Sequence, residues 1–90
     1  MKISFDPAKR AKTLQMRGLD FADALKVMSG PILTLEDDRY DYPEPRFQTY
    51  GLLNERLVMM VWIATDDGIR IISMRKCNDR EQKAFTDRLG

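Results

Sequence analysis

A chain of 90 residues with 43% hydrophobic and 32% charged side chains has room for one modest core, a composition that excludes both disorder and a second domain. The net charge of +1 gives no global pull on nucleic acid, although residues 1–26 carry six Lys or Arg against three acids and residues 27–65 carry three against six. The single cysteine, Cys77, rules out an internal disulfide framework, and the lack of histidine removes the commonest general acid–base, the commonest zinc ligand and every Ser-His or Cys-His nucleophile pair.

Residues 2–5 (KISF) are a short strand candidate. Asp6-Pro7 then starts a helix: the Asp6 carboxylate can accept an orphan N–H of the first turn, and Pro7 stands where its missing N–H costs nothing. Ala8, Ala11 and Leu14 recur at helical spacing, and Gly18 ends the element. Asp20 caps a second helix in which Phe21, Ala24, Leu25 and Met28 fall at i, i+3, i+4 and i+7, a single apolar face, and Gly30-Pro31 stops it. The two helices read as a hairpin.

Residues 32–35 (ILTL) make a strand, and residues 36–45 (EDDRYDYPEP) an acidic loop with two prolines. Along residues 46–53, Phe47 and Thr49 alternate with Arg46, Gln48 and Tyr50. Asn54-Glu55 is a tight turn. Residues 56–65 then begin a run with no polar interruption, as in a central strand covered on both faces. Asp67-Gly68 reads as a hairpin turn and residues 69–75 (IRIISMR) as the last strand. Asn78 with Glu81 forms a capping box that opens a final helix through about Leu89.

The order β-α-α-β-β-β-β-α, with strands gathered apart from helices, is α+β: a mostly antiparallel sheet packed by the helical hairpin and a C-terminal helix. The longest apolar run, residues 57–64, is too short for a bilayer and no leader pattern opens the chain, so a cytoplasmic protein is expected.

Four segments carry a family resemblance. FDPAK (5–9) is similar to an aromatic-x-Asp-Pro-x-Lys opening, and RGLDFADA (17–24) to a Gly-hydrophobic-x-Phe-x-x-Ala helix junction. EPRFQTYGL (44–52) resembles a Glu-x-Arg-aromatic…Gly strand, and IRIISMRKCNDRE (69–81) an Ile-Arg-Ile-Ile-Ser-x-Arg signature with the Arg-Glu that follows. In register over nearly the whole chain, they resemble the BrnT family of type II toxins, small ribonucleases on the RelE/ParE-like fold. Met16-Arg17-Gly18 departs from the family's frequent Lys-His-Gly, and Phe85 lies nearest its late Tyr.

The resemblance implies a single BrnT-like toxin domain over residues 1–90, acting as a metal-independent endoribonuclease that needs no cofactor and inhibits translation. It also implies a cognate BrnA-like antitoxin in a heteromeric complex that can include a toxin dimer. ParE-like relatives act on DNA gyrase. A non-enzymatic binding module on this fold, or an inactive toxin that only binds antitoxin, is therefore the alternative.

RNA cleavage of this kind has the 2′-hydroxyl attack the adjacent phosphate, and needs a base, cations for the phosphorane and an acid for the leaving oxygen. Arg70 stands mid-strand, where a guanidinium is costly unless it reaches water or an anion. Arg75 lies five residues on, so strict alternation sets it on the opposite face unless a bulge intervenes or it belongs to the junction. Glu44 and Arg46 read equally as a surface ion pair and as a base beside a cation, and the resemblance favours the second. Glu44, Arg46, Arg70 and Arg75 are thus the expected catalytic set.

Lys76 and Arg80 lie before and within the first turn of the last helix, where cations oppose the dipole unless an anion also binds. With Lys9 they are the expected RNA contacts, which Lys12 can extend; solvated exposure is the plainer alternative for each. Cys77, Trp62 and the stripe Phe21, Leu25, Met28 read as structural. The acidic loop reads as a rim in which Asp37, Asp38 and Asp41 tolerate Asn.

Overall fold

The computed structural model describes residues 1–89. Five strands, β1 (Lys2–Phe5), β2 (Ile32–Asp37), β3 (Arg46–Leu53), β4 (Arg56–Ala64) and β5 (Gly68–Lys76), form one sheet in the order β1-β5-β4-β3-β2. β2 to β5 are an antiparallel meander, and β1 joins the edge of β5 in parallel. Three α-helices complete an α+β fold with a mixed sheet: α1 (Pro7–Arg17), α2 (Ala24–Met28) and α3 (Asp79–Leu89).

Local chemistry sets the helix ends. Asp6 Oδ1 accepts the Ala8 N–H at 2.9 Å to open α1, and Gly18 closes it in the left-handed region at φ 69°, donating its N–H to Leu14 O. Asn78 Oδ1 accepts the Glu81 N–H at 2.8 Å while Glu81 Oε1 accepts the Asn78 N–H at 3.0 Å, a complete capping box. In the β3–β4 hairpin, Asn54 and Glu55 both take positive φ (50° and 68°), the pattern of a primed turn whose twist matches the strands.

Three expectations are corrected. The second helix is a 3₁₀ turn (Phe21–Asp23) followed by a five-residue α2, and its buried residues are Phe21, Ala24 and Val27, with Leu25 exposed. The 3₁₀ start shifts the phase, so the face that meets the sheet is not the one that uniform 3.6-residue spacing selects. The apolar spacing of Ala8, Ala11 and Leu14 is not a core face either, because α1 buries no residue fully. Caps and the two-pronged Arg10–Asp20 pair (2.8 and 2.9 Å) hold α1 in place. Lastly, Gly68 is the first residue of β5 and not a turn residue: Thr65 N–H bonds Gly68 O around Asp66-Asp67. The glycine is needed because Lys2 of β1 lies so close that any Cβ would collide with its backbone.

The sheet has a core on each face. On the α1–α2 side, Leu19, Phe21, Ala24, Val27, Val58 and Met60 pack with Ile69, Ile71 and Met74. Trp62 flanks this core, stacked on Phe47 at 4.8 Å and donating to the buried Thr49 hydroxyl at 2.8 Å. On the α3 side, Tyr50, Leu57, Met59, Val61 and Cys77 form a smaller core, closed by Phe85 stacked on Tyr50 at 4.1 Å. β4 lies between the two, hence its uninterrupted apolar sequence.

Candidate functional site

Strand register decides which cations share a face. Along β4 and β5, Met59 pairs with Arg75, Val61 with Ser73 and Ile63 with Arg70, while the adjacent pair is Trp62 with Ile71; Ile72 is left over as a bulge. The bulge restores parity, so Arg70 and Arg75 lie on the same face, the one that carries α3.

Arg46 joins them. It pairs with Asp37 on β2 and, one step beyond the Phe47–Trp62 pair, comes level with Ile63. A row therefore crosses the sheet as Asp37, Arg46, Ile63, Arg70 and Ser4. Arg46 and Arg70 are two strand spacings apart, roughly 10 Å between Cα atoms, which two long side chains can close around one phosphate. α3 covers the Tyr50 and Met59 end of this face; at the arginine end Gln48, Ile63 and Arg70 are half-buried and Leu35 is exposed. The described ion pairs are Arg10–Asp20, Lys26–Asp23, Arg39–Asp37 and Arg75–Glu81, so among the described residues neither Arg46 nor Arg70 has a carboxylate partner. Arg46 instead lies over the Tyr42 ring at 4.2 Å.

Arg75 shares the face but its guanidinium is engaged. Both terminal nitrogens donate to Glu81 at 2.8 Å, tying the start of α3 to β5. The pairing holds the Glu81 carboxyl down at about 2, with the Arg75 hydrogen bond the largest cause. Cys77 is buried beside it, and desolvation pushes its thiol up to about 11, which leaves it protonated and inert.

Glu44 is exposed between Pro43 and Pro45, in a recess it shares with Arg46 and the acids of the loop. The loop is anchored as well as acidic. Asp37 has no exposed side-chain surface and takes two bonds of 2.8 Å from Arg39, which hold its carboxyl below the ordinary range. The expectation that Asp37 tolerates Asn like its neighbours is therefore corrected.

The other basic residues lie elsewhere. β1 pairs only with Gly68 to Ile71, and where it ends α1 takes its place beside β5. Between α1 and this part of β5 lies a cleft of about 410 Å³ lined by Lys9, Lys12, Thr13 and Arg17 from the helix and by Ile72 and Ser73 from the strand. Arg17 Nη1 donates to Met74 O at 2.9 Å. Lys76 pairs with Val58, which places it on the α1–α2 side, and Arg80 is exposed on α3. The structure thus brings Arg46 and Arg70 together with Glu44 nearby, and separates them from Lys9, Lys76 and Arg80. Sequence reading met Arg17 only as the residue that stands where the family often has His, and passed over Ser73; the helical spacing 9, 12, 13, 16, 17 was the signal that sets Arg17 beside Lys9 and Lys12. Among the described residues no three His, Cys, Asp or Glu side chains gather as a metal site, and no helix is long and apolar enough to cross a membrane.

A family profile described as the ribonuclease toxin BrnT of type II toxin-antitoxin systems matches residues 5–81. The chain belongs to the BrnT family. The match runs from the end of β1 through the arginine row and stops at Glu81, the acid that closes the capping box. As a member of BrnT the protein is a ribonuclease toxin, with RNA as its target and an antitoxin as its partner. No curated protein sequence matches the chain.

Proposed function

We propose that this BrnT toxin cleaves RNA without a metal, on the open end of the α3 face, and that the fold is RelE/ParE-like. The observation that carries the reading is the pair Arg46 and Arg70, level on one face and free of carboxylate partners among the described residues. Two guanidiniums aimed at one phosphate stabilise the charge that gathers on the phosphorane as the 2′-oxygen attacks. Glu44, two residues before Arg46, is the base that takes the 2′-hydroxyl proton; as the 2′-O–P bond forms the P–O5′ bond breaks, leaving a 2′,3′-cyclic phosphate and a 5′-oxygen that takes its proton from solvent water. Arg75 acts through α3, which it positions, and Lys9, Lys76 and Arg80 contribute longer-range attraction for the RNA backbone. Cleavage of cytoplasmic RNA stops translation, and a BrnA-like antitoxin covers the arginine face in a complex that can hold two toxin chains.

The test is cleavage of single-stranded RNA in EDTA, with a gyrase supercoiling assay in parallel. Cleavage without inhibition of supercoiling is expected. Arg70→Ala should lower the rate on the order of a hundredfold while the thermal unfolding curve stays in place. Arg70→Lys should also be slow, because an ammonium lacks the fork that matches two phosphate oxygens. Full cleavage by both variants would overturn the assignment.

A further inference from the structure

The cleft between α1 and β5 has a charge pattern that the fold uses only in part, through the bond from Arg17 Nη1 to Met74 O. Lys9, Lys12, Thr13, Met16 and Arg17 follow helical spacing, so they form the stripe of α1 that looks towards the strand. On a helix beside a sheet that stripe is ordinarily apolar. Here it carries three cations, no acid lines the cleft, and Lys9 and Lys12 belong to none of the described ion pairs. Mutual repulsion among these cations is relieved by a bound anion. Beneath them Phe21 and Ile72 give an apolar floor, and Thr13 and Ser73 bring hydroxyls. Cations at the wall, apolar surface at the floor and hydroxyls between suit the phosphate, base and sugar of one nucleotide. The volume falls within the range of small-ligand sites.

The cleft also communicates with the arginine row. Ser73 pairs with Val61 and so belongs to the face of Arg70, yet it lines the cleft as well. The bulge at Ile72 is where the two meet, and Ser73 is only about 10 Å along the strand from Arg70.

We infer that the α1–β5 cleft is a subsite for single-stranded RNA: it takes the nucleotide next to the scissile phosphate, so the strand crosses β5 at the Ile72 bulge. This rests on the placement of the scissile phosphate at Arg46 and Arg70.

Binding without cleavage separates the two readings. The probe is a fluorescein-labelled 2′-O-methyl RNA decamer, which cannot be cut, titrated by anisotropy against the full chain at several salt concentrations. Each phosphate contact on a single strand contributes about 0.7 to the slope of log K against log salt, so Lys9→Ala/Lys12→Ala, which removes the cations around the one phosphate held in the cleft, should flatten it by about 0.7. Thr13→Lys should steepen the slope, and Lys83→Ala on α3, outside the cleft, should leave it unchanged. An unchanged slope in the double variant and in Thr13→Lys would overturn the inference, as would an equal shift in Lys83→Ala. Deca-glutamate binding that depends on Lys9 and Lys12, with RNA binding that does not, would instead assign the cleft to an acidic protein segment. If the slopes shift as expected while Arg70→Ala cuts normally, the cleft stands as an RNA site and the arginine row falls.

Discussion

Replacing Glu81 by Gln removes the charge from the Arg75–Glu81 fork while keeping an oxygen that can accept the Asn78 N–H. Glu81 takes two bonds of 2.8 Å from Arg75 and one of 3.0 Å from Asn78 N–H, and its carboxyl falls from 4.5 to about 2. A depressed carboxyl adds stability that is present above the unfolded value and lost as pH falls through the folded one, so the window runs from about 4.5 down to about 2. At about 1.36 kcal/mol for each pH unit the whole drop would be worth about 3.4 kcal/mol. Arg75 is 38% exposed, and solvent screening reduces this to about 1–2 kcal/mol. Urea denaturation at pH 7 should therefore show Glu81→Gln less stable than the parent by about 1–2 kcal/mol. The gap should narrow from pH 4.5 downward and close near pH 2. Arg75→Ala should cost a similar amount at pH 7, and the double variant clearly less than the sum. A gap that ignores pH, or strict additivity, would refute the fork as a structural tie and return Arg75 to the pool of cations free to bind phosphate.

Further outcomes follow from packing. Gly68→Ala should push β1 off β5 and cost about 1–3 kcal/mol, seen as a lower thermal midpoint and early hydrogen exchange at Ile3 and Phe5. Asp37→Asn should destabilise the fold by about 1 kcal/mol, whereas Asp38→Asn and Asp41→Asn, both exposed, should stay within about 0.5 kcal/mol in the same urea assay. Cys77 should resist a thiol-specific disulfide reagent until the protein unfolds, since it is 1% exposed and its thiol is held up at about 11.

Local chemistry made much of this protein legible from its sequence. Caps at Asp6 and Asn78, stops at Gly18 and Gly30-Pro31, the turn at Asn54-Glu55 and the uninterrupted apolar run of β4 each act within a few residues, so they placed the elements. The segments around Phe5, Arg46 and Arg70 likewise pointed to the BrnT family that the profile match establishes. Which side chains meet was decided only by tertiary structure, because it depends on register. One bulged residue, Ile72, puts Arg70 and Arg75 on the same face, against the alternation that spacing predicts. The parallel addition of β1 makes Gly68 a contact glycine and ends early enough to leave the cleft beside α1. The Arg75–Glu81 fork depends on how α3 folds back over β5, which no local rule contains. Backbone propensities act over one turn or one strand, but the pairing that aligns Arg46 with Arg70 and occupies Arg75 is set by contacts between residues far apart in the chain.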